Sequence, residues 1–454
     1  MTAFQVLHRV LEEGAYANLL LASALSDAKE QADPGHRHAF TPQQRAFATA
    51  MVYGTLTRLF TIDHILRQTL DRPMEGFHPK VRTILRLGAF QLMYSRTVPA
   101  SAACDESVRI CRRFASQAAC GLVNGTLRNI ARNLPDISEK DPSLFYSLPP
   151  ELYGYVKKAA GAIEAPMLAA SLLETPPVTL RINRLRTTVS DVINRLSDEG
   201  IAAVPGRYAP EAVIPDLAGR PIQATAVYRE GLVSVQDEGA MLTTHVVSPE
   251  PGERIIDLCA APGGKSVHMS EFTQDQINLT ACDIHENRLS LIRSQAERLG
   301  ICRIRVMQAD ATGDQWPDEL AGPFDRVLAD VPCSGLGLLA RKPEIRRNMT
   351  HERIVGLLAV QAAILDHAGS LVKPGGILVY STCTFNPAEN DGQIDRFVER
   401  TAGTFQREDI TDLLPKPLMQ FPDIREQAVH GSITLLPHRH ATDGFFIARL
   451  RRAI

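Results

Sequence analysis

The sequence lacks the features that would place it in several common classes of protein. Its 49 basic and 51 acidic residues nearly cancel, so the overall charge does not indicate a nucleic-acid partner, which would need a local basic surface. No apolar run approaches the ~18 uninterrupted residues of a membrane helix. No basic leader followed by a hydrophobic core opens the chain. We therefore expect a cytoplasmic protein with no membrane partner.

Cysteine and histidine are present without the spacing of a metal site. The eight cysteines form no C-x-x-C pair, and the 13 histidines form no ligand pair, so we expect no zinc or other metal. Thiols in a reducing cytosol usually serve as small buried apolar side chains. Two of them, Cys333 and Cys383, lie in motifs that indicate chemistry.

The chain is long enough for two or three domains. Apolar positions at helical spacing predict an all-α bundle over residues 1–140, which ends near Pro135 in a proline-bearing linker. Residues 147–235 mix helices with short strands and predict a small α/β subdomain. From 236 to 454 strands alternate with helices, which predicts a doubly wound, Rossmann-like α/β domain with a mainly parallel sheet.

Apolar runs locate six strands of this last domain. They are expected at residues 254–259, 277–282, 303–308, 324–329, 377–382 and 445–450. The segment from Lys373 to Gly376 is expected to be the turn that ends a helix and leads into the fifth strand.

A loop of small residues follows the first strand and opens a helix, where a doubly wound fold binds its ligand. It is not a phosphate-binding P-loop, because Cys259 stands where that loop requires glycine, and the G-x-G-x-x-G fingerprint is absent. A nucleoside ligand without a pyrophosphate remains. The loop residues expected to contact it are Cys259, Ala260, Ala261, Pro262, Gly263, Gly264 and Lys265.

Two aspartates extend the predicted nucleoside site. Asp283 ends the second strand, where an acidic side chain can accept hydrogen bonds from ribose hydroxyls. Asp310 ends the third strand, where it could meet the amino group of an adenine. Each has an alternative as a helix cap or turn residue.

The fourth and fifth strands are followed by Asp330-Val-Pro-Cys333 and by Thr382-Cys383, which neighbouring strands would bring to one cleft. Carbon 5 of a pyrimidine becomes nucleophilic when a thiolate adds to carbon 6, and a second group must then remove the carbon 5 proton. Two cysteines fit attack and release. Asp330 could stabilise the ring at nitrogen 3 and the exocyclic amine. Amine methylation would favour an aromatic residue where Cys333 stands.

These segments resemble the RNA 5-methylcytosine methyltransferases of the Sun family. The matching motifs are Asp257 to Lys265, Asp330 to Gly335 and Ser381 to Asn390. The resemblance implies S-adenosylmethionine as cofactor, held by the loop with Asp283, Asp310 and Asp330, and small-subunit (16S) ribosomal RNA as substrate. It also implies that Cys383 attacks carbon 6 and Cys333 assists release. DNA enzymes use the Pro-Cys cysteine instead, so the reversed assignment is the mechanistic alternative.

The N-terminal helices resemble the NusB-like RNA-binding domain, through Leu85 to Leu92 and Phe114 to Ile130. Four basic residues after the Pro-Cys motif suit RNA phosphates, or else form a solvated loop: Arg341, Lys342, Arg346 and Arg347. We expect a monomer. The alternative function is a non-catalytic RNA-binding or ribosome-assembly factor with a vestigial methyltransferase fold.

Overall fold

A computed structural model describes residues 1–26, 40–134, 136–313 and 316–454; the linker residue Pro135 lies outside this range. The N-terminal part is helical, as predicted. Its helices are α1 Thr2–Glu13, α2 Ala17–Ser26, α3 Pro42–Thr57, α4 Leu59–Thr69, α5 Pro79–Tyr94, α6 Ala100–Phe114, α7 Ala119–Arg132 and α8 Pro142–Phe145.

Helix α5 lies at the centre of this helical domain. It is buried from Thr83 to Gln91 and packs against α1, α3, α4, α6 and α7. Gly88 allows close approach, because a side-chain carbon there would stand 2.5 Å from Leu127 of α7. One continuous apolar core therefore unites the helices.

A small antiparallel sheet follows, with strand order β2-β3-β1-β4 and a core of its own. Its elements are β1 Leu180–Ile182, α10 Val189–Asp198, β2 Ala203–Pro205, β3 Ala212–Pro215, α11 Ala226–Arg229 and β4 Val233–Val235. Helix α9 Pro150–Ser171, interrupted at Gly161, packs instead against Leu336, Leu339 and Phe385 of the C-terminal domain. The domain boundaries given above remain predictions.

The C-terminal domain is built on a second sheet covered by helices on both faces. Its strands are β5 Arg254–Asp257, β6 Asn278–Asp283, β7 Ile304–Gln308, β8 Phe324–Asp330, β9 Val372–Thr382, β10 Phe405–Arg407, β11 Ser432–Leu435 and β12 Phe445–Arg452. Its helices are α12 Glu238–Val247, α13 Gly264–Phe272, α14 Glu286–Leu299, α15 Ile345–Asn348, α16 His351–Leu371, α17 Asp391–Arg400, α18 Pro422–Val429 and α19 Pro437–His440. Two apolar cores lie on the opposite faces of this sheet.

The strand order β10-β12-β9-β8-β5-β6-β7 explains where a ligand can bind. Strands β7, β6, β5, β8 and β9 run parallel, and β12 pairs antiparallel with β9. The chain winds outward from β5 to β7 and then returns to β8 on the other side of β5. A crevice forms at such a switch point, outside the carboxyl ends of the strands.

The six predicted strands are all present, with ends that differ by a few residues. The predicted turn at Lys373 to Gly376 is part of β9, which starts at Val372. Val372 pairs with Phe324, and the regular pairing resumes only at Ile377 with Arg326. Residues 373–376 therefore stand opposite Asp325 alone, which makes this an irregularity in the pairing of β9, and Gly375 there has a positive φ of 73°.

Helix α16 carries a long apolar sequence. It is the one helix, among the described residues, whose length and composition would allow it to cross a bilayer. In this fold Ile364, Leu365 and Ala368 are buried in the core that covers β8 and β9. A core helix is thus sufficient to explain its composition.

Candidate active site

The loop after β5 is shaped by two glycines. Gly263 has a φ of 104°, and a side-chain carbon there would come within 3.2 Å of the Ile292 backbone in α14. At Gly264 the same carbon would meet nothing within 4 Å, so open space adjoins the loop. The sequence therefore forms a tight turn that leaves room for a ligand against the backbone.

Asp283 stands where the sequence placed it, at the end of β6. It is 3% exposed, accepts a hydrogen bond from the His285 backbone nitrogen at 3.0 Å and pairs with Arg288 at 3.1 Å. Arg288 also donates to the carbonyl of Ala261 at 2.7 Å. The carboxylate is thus tied to the cofactor loop through one guanidinium.

Asp310 follows β7 on the next strand along the sheet. Its Oδ1 accepts hydrogen bonds from the Thr312 backbone nitrogen at 2.9 Å and from the Thr312 hydroxyl at 2.8 Å. These contacts are those of a turn residue, which is the alternative role that the sequence also allows for Asp310. Oδ2 is not used by them, so a ligand contact there stays a prediction.

Asp257, at the end of β5, is fully buried beneath the loop. Its Oδ2 accepts a hydrogen bond from the Ser266 hydroxyl at 2.6 Å, and its Oδ1 has no partner among the described residues. Burial raises the pKa of this carboxyl to about 7. The motif residue therefore supports the loop from within the core.

The two motif cysteines lie together at the ends of β8 and β9. Cys333 Sγ and Cys383 Sγ are 3.3 Å apart. The hydrogen bond from Cys333 lowers the pKa of Cys383 against the opposing effect of burial, and Lys265 and Lys342 act in the same direction. The same contact, together with burial, raises the pKa of the Cys333 thiol. One thiolate, on Cys383, is the charge state that this arrangement favours.

Asp330 links the cofactor loop to the strand that carries Cys383. Lys265 Nζ donates to its Oδ2 at 2.6 Å, and the Ser381 hydroxyl donates to its Oδ1 at 2.7 Å. Burial opposes the charge on Lys265, but Asp330 raises its pKa overall. The ammonium pairs with this carboxylate, and its charge also lowers the pKa of Cys383.

Glu389 is a site residue to which the sequence reasoning assigned no role. Its buried carboxylate accepts hydrogen bonds from the Ser334 backbone nitrogen and hydroxyl, at 2.8 and 2.5 Å. It also accepts from Gln361 at 3.0 Å and from Asn386 at 2.9 Å. Four donors on one carboxylate hold the loop that bears Cys333 against the loop that follows Cys383. The position of Glu389 within the motif from Ser381 to Asn390 was the feature of the sequence that could have identified it as a site residue.

Arg181 is a second residue that the sequence reasoning missed. It belongs to β1 of the small sheet, but its side chain is 1% exposed and reaches the cofactor loop. Nη1 donates to the carbonyl of Gly264 at 2.8 Å and also bonds Gln236. Nε and Nη2 bond Glu271 of α13 at 2.9 and 3.2 Å. No local pattern around Arg181 signals this contact.

The four basic residues predicted to meet RNA phosphates do not form one surface. Arg346 is 3% exposed and donates to the carbonyls of Leu339 and Leu172, so its prediction is wrong in this fold. Arg341 bonds the carboxylates of Asp443 and Asp237. Lys342 and Arg347 are exposed. Arg346 is buried by a contact with Leu172 in another domain, and Arg341 is half-buried against carboxylates that are distant in sequence, so a single segment reveals neither contact.

The sheet order, the loop at its switch point and the paired side chains around it define an S-adenosylmethionine-dependent methyltransferase. The model of the family described as 16S rRNA methyltransferase RsmB/F matches residues 244–451. The NusB family model matches residues 1–132, and a ferredoxin-like domain of RsmF/B-like methyltransferases matches residues 152–220. With the full-length relatives described next, these matches show that the chain belongs to the RsmB/F family of 16S rRNA methyltransferases.

Relatives match along nearly the whole chain. The probable ribosomal RNA small subunit methyltransferase B of Synechocystis sp. is 35% identical, over 99% of this chain and 98% of the relative. The Bacillus subtilis protein of the same description is 33% identical, with the same shares covered. The ribosomal RNA small subunit methyltransferase B of Shewanella oneidensis is 32% identical, over 92% of this chain and 93% of the relative.

Solved structures support the fold. PH0851 superposes with a TM-score of 0.83 at 22% identity, over 99% of this chain and 98% of that chain. NSun6 from Pyrococcus horikoshii with SFG has a TM-score of 0.59 at 22% identity, over 67% of this chain and 98% of that one.

The residues present fit the cofactor of this class. Open space adjoins Gly264, a buried carboxylate at Asp283 closes one side of the loop, and the two thiols lie on the neighbouring strand ends.

Proposed function

We propose that this protein methylates carbon 5 of a cytosine in small-subunit ribosomal RNA, acting as a cytoplasmic monomer through a covalent bond between Cys383 and carbon 6. The observation that carries the chemistry is the contact of the Cys333 and Cys383 sulfur atoms at 3.3 Å. Ribosomal RNA enters from the descriptions of the family and of its relatives. Amine or hydroxyl methylation has no use for two thiols in contact.

Cys383 is the better nucleophile of the pair because of its neighbours. The hydrogen bond from Cys333 lowers its pKa most, and the ammonium groups of Lys265 and Lys342 lower it further, against burial and the charge of Asp330. The carboxylate of Glu389 opposes ionisation of Cys333. A thiolate rather than a thiol attacks carbon 6. These charges favour the RNA type of assignment over the DNA type, in which Cys333 would attack.

When bound, S-adenosylmethionine supplies an electrophilic methyl group on a sulfonium. The loop from Cys259 to Lys265, with Asp283, Asp310 and Asp330, would hold it, and Arg181 would keep the Gly264 carbonyl in place. Cys383 Sγ adds to carbon 6, and the electron pair of the ring double bond becomes available at carbon 5. As the thiolate adds, negative charge develops on ring nitrogen 3, and Asp330 would stabilise it by sharing a proton there while it accepts a hydrogen bond from the exocyclic amine.

Cys333 serves the second half of the reaction. While Cys383 is bonded to carbon 6, it no longer accepts the hydrogen bond from Cys333, which can lose its proton to water. The Cys333 sulfur then takes the proton from carbon 5, the ring double bond forms again, and the sulfur–carbon bond breaks with its electron pair returning to Cys383. Glu389 holds Cys333 in place for this step through Ser334.

The test uses labelled S-adenosylmethionine and protein-free small-subunit ribosomal RNA, with the labelled nucleoside identified by mass spectrometry. We expect 5-methylcytosine from the wild type, none from Cys383→Ala, and a trapped protein–RNA adduct from Cys333→Ala. Cys302→Ala, at an exposed cysteine outside the cleft, is the matched control. An adduct on Cys333 would support the reversed assignment. No label on RNA, even in assembly intermediates, would favour the non-catalytic alternative.

A further inference from the structure

A second concave site lies between the helical domain and α15. It is a cavity of about 410 Å³ whose wall is rich in arginine. Its charged lining residues are Arg67, Arg82, Arg86, Arg346 and Arg347, with Glu12, Asp63 and Glu75. Five guanidinium groups against three carboxylates leave a local net charge of +2 in a protein whose overall charge is −2. Arg346 contributes only its charge, because its guanidinium is buried and bonds two carbonyls.

Arg86 supplies the buried donor of this cavity. Its side chain is 9% exposed, and Nε and Nη2 bond both oxygens of Asp63 at 2.7 and 2.8 Å. That fork leaves Nη1, which has no hydrogen-bond partner among the described residues. Glu12 Oε1 lies 3.9 Å from Nη1, beyond hydrogen-bond distance, and is itself buried without a partner among the described residues, while Glu12 Oε2 bonds Arg82 at 2.7 Å. A buried guanidinium nitrogen without an acceptor is costly, and an anion in the cavity would satisfy it.

Two more guanidiniums stand at the cavity with their heads accessible. Arg67 is 53% exposed and holds Glu75 only weakly, at 3.4 Å. Arg347 comes from the C-terminal domain and bonds the carbonyl of Leu11, and no ion pair joins it to a carboxylate within the described part of the chain. Burial, followed by the positive charge of Arg86, lowers the pKa of Arg347, while the carboxylates of Glu12 and Asp63 oppose this shift.

We infer that this cavity binds a backbone phosphate of the RNA substrate, held by Arg86 and Arg67 from the helical domain and by Arg347 from the C-terminal domain. The inference rests on the proposed function, since it takes RNA as the substrate. A phosphate offers several oxygens to convergent forks and can bridge Arg86 Nη1 and Arg347. The site reads no base, so it would fix the position of the RNA rather than its sequence.

Its place in the chain gives the site a function in positioning. Arg347 lies in α15, which follows the loop that bears Cys333, while Arg67, Arg82 and Arg86 lie in α4 and α5. One phosphate would therefore contact both domains at once. RNA bound there would be held by the same two domains whose relative position defines the approach to the thiols.

The test measures RNA affinity against salt concentration for the full chain, by fluorescence anisotropy with a labelled fragment of small-subunit ribosomal RNA. Loss of one phosphate contact reduces the slope of log affinity against log salt by ~0.7 for single strands to ~0.9 for duplex. We expect that reduction for Arg347→Gln and for Arg67→Gln, with S-adenosylmethionine affinity unchanged. Arg305→Gln is the matched control: Arg305 is also 53% exposed and also pairs with a glutamate, but lies on β7.

A variant expected to bind RNA more tightly gives a second test, whose result cannot be produced by a weakened fold. Glu75 is 70% exposed, and Glu75→Gln should raise the affinity and steepen the slope, because it removes the charge that competes with phosphate for Arg67. Glu319, 68% exposed beside Arg305, gives the control Glu319→Gln. Equal slopes in all variants and controls would overturn the inference, even if wild type makes 5-methylcytosine. Altered slopes together with absent methylation would overturn the proposed function and leave the phosphate site standing.

Discussion

Removal of Arg181 should weaken both the fold and the cofactor site, and two variants can separate these effects. Arg181 and Glu271 are each 1% exposed, so their ion pair is shielded from solvent. Arg181→Met leaves the Glu271 carboxylate buried without its cation and the Gly264 carbonyl without its donor. Glu271→Gln removes the buried negative charge but leaves the bond from Arg181 to Gly264 in place.

The magnitudes follow from burial. Loss of one partner of a buried ion pair costs about 3–5 kcal/mol in the free energy of unfolding. For a domain of this size that corresponds to a fall of roughly 6 to 20 °C in Tm. A hydrogen bond from a charged group contributes ~1.5–3 kcal/mol, so loss of the Gly264 contact should weaken S-adenosylmethionine binding by about tenfold or more.

Thermal unfolding and titration calorimetry with S-adenosylmethionine give the two readouts. Arg181→Met should lower Tm and cofactor affinity together, Glu271→Gln should lower Tm alone, and the double variant should regain Tm without regaining affinity. A buried Arg181 that acted only as a structural residue would make affinity follow Tm in all three proteins. That result would refute the positioning role.

Three further predictions concern the carboxylates and thiols of the site. Glu389 accepts hydrogen bonds from four donors, and Glu389→Gln replaces one of its accepting oxygens with an NH2 group that cannot accept them. Methylation should therefore fall roughly ten- to hundredfold in a single-turnover assay, while S-adenosylmethionine affinity is retained. Burial raises the pKa of Asp257 from an ordinary 3.8 to about 7 in the folded state. Its contribution to stability is therefore complete below pH 3.8 and is lost as the pH rises through 7. A change from pH 5 to pH 8 should lower Tm less in Asp257→Asn than in wild type. Diamide, which takes two electrons from a pair of thiols, should join Cys333 to Cys383 and abolish activity until dithiothreitol is added, and Cys302→Ser should respond like wild type.

The parts of the fold that depend on local pattern could be predicted from the sequence. Alternation of buried strands with amphipathic helices predicted six of the eight strands from β5 to β12, and the small residues after β5 marked the loop. The short strands β10 and β11 were not predicted. The segment around Gly375 was predicted to be a turn before the strand, whereas β9 already starts at Val372 and residues 373–376 interrupt its pairing. Only the register of Val372 with Phe324 distinguishes the two arrangements.

The contacts between domains were beyond this reasoning. Arg181 reaches Gly264 from a strand in another sheet, and Arg346 is buried against Leu172, which is distant in sequence. A run of basic residues is equally compatible with a surface and with carbonyl acceptors in an interface. Whether such residues are exposed or buried depends on the segments that pack against them, and the spacing of residues within one segment does not identify those segments.

The protonation of Cys383 provides the most direct test of how the site works. Its pKa is lowered first by the hydrogen bond from Cys333, with the charges of Lys265 and Lys342 in support. Cys333→Ala and Lys265→Met should therefore each raise the pH at which Cys383 becomes reactive.

The measurement is the rate of alkylation of Cys383 by iodoacetamide against pH, followed by mass spectrometry of the peptide that contains it. Exposed Cys302 serves as an internal control in the same sample, because none of these groups is placed near it. Since a thiolate attacks, the rate of adduct formation on RNA should shift to higher pH by the same amount as alkylation. A shift to lower pH in Cys333→Ala would mean that Cys333 is the ionised member of the pair, and the roles of the two thiols would have to be exchanged.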